Sequence, residues 1–281
     1  MPVNVCGAIN NLGAGVFNTI APAKINITLR IGEKGIDGMH RIEGIMQTVS
    51  CPADLVELRV MQRQDIDLRD CAVRNSRDDI VTKTLYELSK DVGRLPCRIT
   101  LHKSIPVASG MGGGSSDAAA VLRLANHAFG IGMNTNDLEN VASRVGNDVA
   151  FLVRGGRARV SGGRIHIIND IGDTPGLHYL IARPHMRLQT KEMFELYDRR
   201  NGAGALHNND FTDIACTLCP DTKKLLDLMR RNAVEAGVTG KGPTVFAGYH
   251  THERCKDVGK SISKWLNGEL FIGTAARYRY N

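Results

Sequence analysis

Alternation along the chain begins at residue 20. Within residues 20–31, Ile25, Ile27, Leu29 and Ile31 recur at every second position, the period of a strand with one buried face. Residues 42–50 and 54–60 read as further strands of an antiparallel sheet, separated from the first by GEKGIDGMH, where Gly35 and the Asp37-Gly38 pair mark a turn. Over residues 78–91 the period lengthens, with apolar positions at 81, 85 and 88, which predicts a helix. Residues 98–102 form a strand that leads directly into a glycine-rich stretch, and an alanine-rich helix follows to about Phe129. A second helix is predicted from near Asn136, with Glu139 completing a capping box. Residues 146–153, GNDVAFLV, read as leaving that helix in an apolar extended segment.

In the second half, residues 157–161 and 164–168 alternate across Gly162-Gly163 as a hairpin, and residues 178–182 form a strand. Helical spacing returns over residues 190–197, 210–217 and 221–236. A second glycine turn, TGKGP, precedes a strand over residues 244–249; a helix to about Leu266 and a strand over residues 269–272 end the pattern. Strands and helices mix without a regular βαβ beat, so the fold class is α+β. Residues 1–18, rich in Gly and Asn, predict a poorly ordered extension, and a boundary near residues 154–156 divides residues 19–155 from 156–281.

Composition narrows the partners. The 281 residues are 42% hydrophobic, 23% charged and only 5% aromatic, ordinary for a soluble globular protein with aliphatic cores. The formal charge of +7 favours anionic partners. Lys and Arg are spread along the chain without interleaved aromatics, which points to phosphorylated small molecules rather than nucleic acid. Seven cysteines at irregular spacing are no disulfide framework, and Cys216-x-x-Cys219 reads as two small residues on a helix. Neither a signal or transit peptide nor a membrane span is evident, so a cytoplasmic protein is expected.

The candidate chemistry centres on KSIPVASGMGGGSSDAAA, residues 103–120. Gly110, Gly112, Gly113 and Gly114 allow left-handed backbone and close ligand approach, and they run into Ser115-Ser116 at a helix start. Consecutive amides in such a loop, joined to the positive end of a helix, suit a phosphate. No Gly-Lys-Ser/Thr ending makes it a Walker A loop, and the G-x-G-x-x-G dinucleotide frame is missing. A kinase acting on an alcohol also needs a proton acceptor and a cation. Asp148, beside an apolar run, is either that base or a turn cap. Lys24, amid residues expected to be buried, is either paired with an anion such as Asp148 or a solvated edge lysine.

The loop from Pro106 to Ala118 resembles the phosphate loop of the GHMP kinases, P-x-x-x-G-[LM]-[GA]-[GS]-S-S-x-A. GNDVAFLVRG resembles that family's aspartate motif, APAKINITL its lysine strand, and DGMH the D-G-[YF]-H of its diphosphocytidyl branch. Gln47 in IMQTVS also agrees with the family's strand. The resemblance runs over residues 21–271 and implies a two-domain GHMP fold, with a ribosomal protein S5 domain 2-like first domain and a ferredoxin-like second one. It implies ATP-dependent phosphorylation, with Mg²⁺, of the C2 hydroxyl of 4-diphosphocytidyl-2-C-methyl-D-erythritol in isoprenoid precursor synthesis, by a monomer or homodimer. Rival readings are another small-molecule GHMP kinase, of homoserine or mevalonate type, or a non-catalytic binding protein of the same fold.

By the same resemblance, Asp148 is the base and Lys24 holds the base and the reacting hydroxyl. Lys103, Pro106, Gly110, Gly112, Gly113, Gly114, Ser115 and Ser116 serve the nucleotide, and either serine could meet the metal, whose protein ligands are otherwise unknown. Asn26, Met39, His40, Thr190 and Phe194 bind the cytidine diphosphate substrate, with cytosine between Met39 and Phe194 and its edge read by a neutral His40. Three residues depart from the family pattern: Met39 replaces an aromatic, Asp79 an asparagine, and Lys241 in TGKGP a small hydroxyl residue.

Overall fold

A computed structural model describes residues 8–36, 38, 40–61, 80–162, 167–170, 176–200 and 207–276. Strand β1 (Asn10–Gly13) and strand β2 (Val16–Lys34) form a hairpin turned by Gly13, Ala14 and Gly15, all with positive φ. The expected loose extension is therefore wrong for residues 10–18. Two glycines at the turn permit a hairpin there, and Val16 is buried in it. Strand β3 (His40–Val60) returns antiparallel along β2, with Lys24 opposite Thr48 and Asn26 opposite Met46. Register shifts between Pro22 and Lys24 and between Asn26 and Thr28 bracket these two polar residues, and such bulges re-aim side chains.

Helix α1 (Ile80–Val92), strand β4 (Cys97–His102), helix α2 (Gly113–Ala128) and helix α3 (Thr135–Ser143) follow. The cap of α3 lies two residues before the expected one: Asn134 accepts from the amides of Asn136 and Asp137, and Asp137 completes the box. Residues 147–154 form helix α4 (Asn147–Arg154), not the extended segment expected. The run Val149-Ala150-Phe151-Leu152-Val153 is buried on every side, so its periodicity could not separate strand from helix. Strands β5 (Arg157–Gly162) and β6 (Ile167–Asp170) pair antiparallel as expected, although β6 begins three residues later than expected and residues 163–166 lie outside the described ones, and β5 pairs with β3. The first sheet runs β1-β2-β3-β5-β6 with β4 also on β3, so the expected boundary at 155/156 falls inside one sheet by strand pairing.

Strand β7 (His178–Pro184), helices α5 (Thr190–Arg199), α6 (Thr212–Leu218) and α7 (Pro220–Met229), strands β8 (Glu235–Val238) and β9 (Val245–Tyr249), helix α8 (His252–Ser263) and strand β10 (Gly268–Thr274) complete the fold. The helix expected to reach residue 236 stops at Met229, where Asn232 turns the chain with φ 60° before β8; asparagine tolerates that conformation better than most residues. The second sheet is antiparallel in the order β10-β7-β9-β8, the ferredoxin-like arrangement expected. Cys216 lies on α6 and Cys219 just beyond it, both as free thiols.

Three clusters hold these layers together. Helices α1 to α4 cover the first sheet through Leu58, Ile99, Leu122 and Phe151, while α5 to α8 cover the second through Leu180, Ala182, Val245 and Ala247. The opposite face of the second sheet, Tyr179, Ile181 and Phe246, packs on Ala23, Ile25 and Ile27 of β2. Period-two alternation thus serves two interfaces at once. The alternate positions Lys24 and Asn26 turn instead toward the glycine loop and the start of α4. Among the described residues no helix is long and apolar enough to cross a membrane.

Candidate active site

The glycine-rich loop lies between β4 and α2 and is anchored by Ile105, which is buried, while Pro106 is half-buried. Gly110 and Gly112 have φ of 78° and 71°, where a side chain would be strained. A Cβ on Gly110 would stand 2.4 Å from the Thr239 carbonyl oxygen, and one on Gly112 would stand 3.0 Å from both Cγ and Cε of Lys24. Gly113 and Gly114 are ordinary helical positions: Gly113 is needed for room beside Ile105, and Gly114 is exposed. No side chain caps α2, so the amides of its first turn remain open to an anion. Of the two serines, the buried Ser116 donates to the Pro22 carbonyl at 2.7 Å and ties α2 to β2. Ser115 is partly exposed.

Lys24 runs beneath this loop. Its side chain is only 5% exposed, its amide donates to the Met111 carbonyl at 3.0 Å, and its ammonium donates to Asn26 Oδ1 at 2.6 Å. Asp148 Oδ2 lies 3.4 Å from the same ammonium. The carboxylate belongs to the first turn of α4, is one-third exposed, and borders a small cavity of about 50 Å³ also lined by Asn26, Gly44 and Met46. A buried cation, an accessible carboxylate and an uncapped helix terminus therefore meet at one point. Asn26 Oδ1 also accepts the Gly240 amide at 3.0 Å, and the Asn26 amide donates to Thr239 Oγ1 at 3.0 Å. The TGKGP turn is in this way bound to the same strand.

Lys103, expected on the nucleotide side, is ion-paired and partly exposed beside the glycine loop. Its ammonium bridges Asp54 and Asp117, both buried, and Asp54 accepts the amides of Ser104 and Ile105 at 2.5 and 2.8 Å. Burial pulls the Lys103 pKa down, but the hydrogen bonds to Asp117 and Asp54 outweigh it and leave the group above its ordinary value. Burial pushes the Asp117 carboxyl up to about 7 against the pull of Lys103. This triad braces the base of the glycine loop against α2.

At the far end of β2, His40 stacks on Phe194 with ring centroids 5.5 Å apart and planes at 11°. Both ring nitrogens of His40, the residue expected to read the base edge, have partners within the chain. Nδ1 lies 2.8 Å from the Gly32 carbonyl and Nε2 lies 2.8 Å from Asp198, and both partners are acceptors. A hydrogen bond from Lys34, and a further one from His40, hold the Asp198 carboxyl below its usual range. Asp37, Met39 and Asp79 lie outside the described residues, so the Met39 side of the expected cytosine site does too. Thr190 opens α5 one turn before Phe194 and accepts from Lys241 Nζ at 2.8 Å. Gln47 is buried in β3 and donates to the carbonyls of Thr48 and Gly156.

Residues 79–158 match the model of the GHMP kinases N terminal domain. Over the longer span, a 4-diphosphocytidyl-2-C-methyl-D-erythritol kinase of Listeria monocytogenes is 31% identical, covering 85% of this chain and 89% of that protein. The chain belongs to the 4-diphosphocytidyl-2-C-methyl-D-erythritol kinase family. A second member of that family, from Shouchella clausii, is 33% identical over 82% of this chain and 84% of its own length. Among solved structures, a 4-(cytidine 5'-diphospho)-2C-methyl-D-erythritol kinase superposes with a TM-score of 0.71 at 20% identity, covering 92% of this chain and 99% of that one. A homoserine kinase from Cytophaga hutchinsonii superposes at 0.67, also at 20% identity, over 96% and 97% of the two chains. These likenesses carry the fold, which the two kinds of kinase share.

Several residues of the site escaped the sequence analysis. Asn209 donates to the carbonyls of Val238 and Gly240 at 2.7 Å each and so shapes the TGKGP turn from thirty residues away in the chain. Asp54 and Asp198 likewise act on partners distant in sequence. A polar Asn-Asn-Asp run before α6 was the one local signal for Asn209, and it reads equally as a helix cap.

Proposed function

We propose that this chain transfers the γ-phosphoryl group of ATP to the C2 hydroxyl of 4-diphosphocytidyl-2-C-methyl-D-erythritol. The observation that carries the reading is the meeting of Lys24, Asn26 and Asp148 beneath an uncapped helix start, in a chain 31% identical to a kinase of that name. Asp148 accepts the hydroxyl proton, being the exposed carboxylate of the cluster. Lys24, fixed by Asn26 and by the loop above it, holds Asp148 and stabilises the negative charge that shifts during transfer. The amides of residues 113–115 receive donor phosphate oxygens, and Gly112 keeps the lysine within reach of them. Phe194 and Thr190 line the path toward the cytidine end.

The metal fits this arrangement in one way. Ser115, partly exposed in the first turn of α2, would offer Mg²⁺ a hydroxyl beside the phosphates. When bound, the metal supplies charge neutralisation on the donor.

The test is ADP release from ATP with the diphosphocytidyl alcohol, homoserine and mevalonate as separate acceptors, for the native chain and Asp148→Asn. Turnover is expected with the first acceptor alone, and kcat should fall by roughly 10²–10⁴ in the variant. Near-native turnover of Asp148→Asn would remove that residue from the mechanism. Preference for homoserine or mevalonate would overturn the substrate.

A further inference from the structure

The middle of the TGKGP turn carries a lysine that the chemistry above does not use. Its neighbours are fully engaged: Thr239 Oγ1 donates to the Gly110 carbonyl at 3.2 Å, the Gly240 amide donates to Asn26, and Asn209 holds the Val238 and Gly240 carbonyls. From this fixed turn the Lys241 side chain reaches across to Thr190 Oγ1, 2.8 Å away. Thr190 is the first residue of α5, a ten-residue helix whose N-cap residue Gln189 makes no side-chain cap. Lys24, Lys34, Lys90 and Lys103 each have a carboxylate within ion-pair distance. Among the described residues Lys241 has none, and its one hydrogen-bond partner is neutral. Burial pulls its pKa down, the direction taken by a cation that no anion answers.

Position supplies the rest. Lys241 follows directly on the amide that holds Asn26, beside Lys24 and Asp148. Its partner Thr190 lies one helical turn, about 6 Å along the axis, before Phe194, which stacks on His40. An acceptor with its nucleoside at the second place and its reacting hydroxyl at the first must lay its linking diphosphate between them. We infer that Lys241 binds the diphosphate of the cytidine-bearing acceptor, an inference that rests on the proposed function. The lysine where the family pattern has a small hydroxyl residue then gives this chain an added cation for its substrate, and the Thr190 hydroxyl orients it.

Steady-state kinetics of Lys241→Met and Lys241→Arg test this, with CDP and cytidine as competing probes and thermal melts as a check on folding. In Lys241→Met the acceptor KM and the CDP inhibition constant should both rise about 10- to 100-fold, the yield of one charge-assisted hydrogen bond. Inhibition by cytidine, which has no phosphate, should stay as in the native chain, and Lys241→Arg should keep most of the affinity for CDP. Unchanged CDP inhibition in Lys241→Met overturns the inference, as does equal weakening of CDP and cytidine. A rise confined to the KM for ATP would assign Lys241 to the donor's phosphates and overturn it too. A native chain that turns over the diphosphocytidyl alcohol while Lys241→Met matches it defeats the inference alone. A native chain that neither turns it over nor binds CDP defeats the proposed function as well.

Discussion

Replacing Gly110 by alanine should unlock the glycine loop from the TGKGP turn. The added Cβ would sit 2.4 Å from the Thr239 carbonyl oxygen, a backbone atom that cannot swing aside. Carbon–oxygen contacts need about 3.3 Å, so the two loops must part by about 1 Å. That displacement breaks the 3.2 Å bond from Thr239 Oγ1 to the Gly110 carbonyl and loosens the 3.0 Å bond from Gly240 to Asn26. Each is worth about 0.5–1.5 kcal/mol, and an alanine held in the left-handed backbone of this position adds about 1–2 kcal/mol. Gly130→Ala is the control: its φ of 59° is also left-handed, but nothing lies within 4 Å of the added Cβ. It should cost the backbone strain alone. The excess for Gly110→Ala, roughly 1–3 kcal/mol, corresponds in a chain of 281 residues to a melting temperature about 2–5 °C below that of Gly130→Ala. Thermal melts read this, and calorimetric ATP titration should show weaker binding in Gly110→Ala only. Equal melting temperatures with equal ATP affinity would refute the locked-loop reasoning.

Asp117→Asn tests the buried triad. The folded-state pKa of Asp117, raised from 3.8 to about 7, means the native state keeps a proton that the unfolded chain has already lost. Its contribution therefore falls as pH rises from about 4 to about 7 and is flat above, so Asp117→Asn should gain on the native chain across that window in melts, and a constant difference would refute it. His40→Ala removes the ring stacked on Phe194 and the partner of Asp198 and Gly32. The acceptor KM should rise by about one to two decades with the KM for ATP unchanged, and steady-state kinetics showing neither shift would take the cytidine end away from this residue.

The sequence by itself determined the α+β class, the antiparallel pairing of β2 with β3 and of β5 with β6, the α2 helix with its glycine entry, and the chemical identity of Lys24, Asn26 and Asp148. Those features are written in local periods, in glycine's backbone freedom and in the cost of burying a charge. Local pattern failed where burial was complete, as in Val149-Ala150-Phe151-Leu152-Val153, because a side chain enclosed on all faces carries no period. It failed again where a residue's partner lies far along the chain. Lys103 reads as a nucleotide-side cation, and only the fold shows Asp54 and Asp117 around it; His40 reads as a contact to a base edge, and only the fold shows Asp198 of α5 at its Nε2. Gly110 and Gly113 look alike in sequence, yet only Gly110 faces the Thr239 carbonyl and takes a left-handed φ. Tertiary structure decided these roles because hydrogen bonds and steric limits act through space over a few ångströms, and the chain separates the groups involved by 14 to 158 positions.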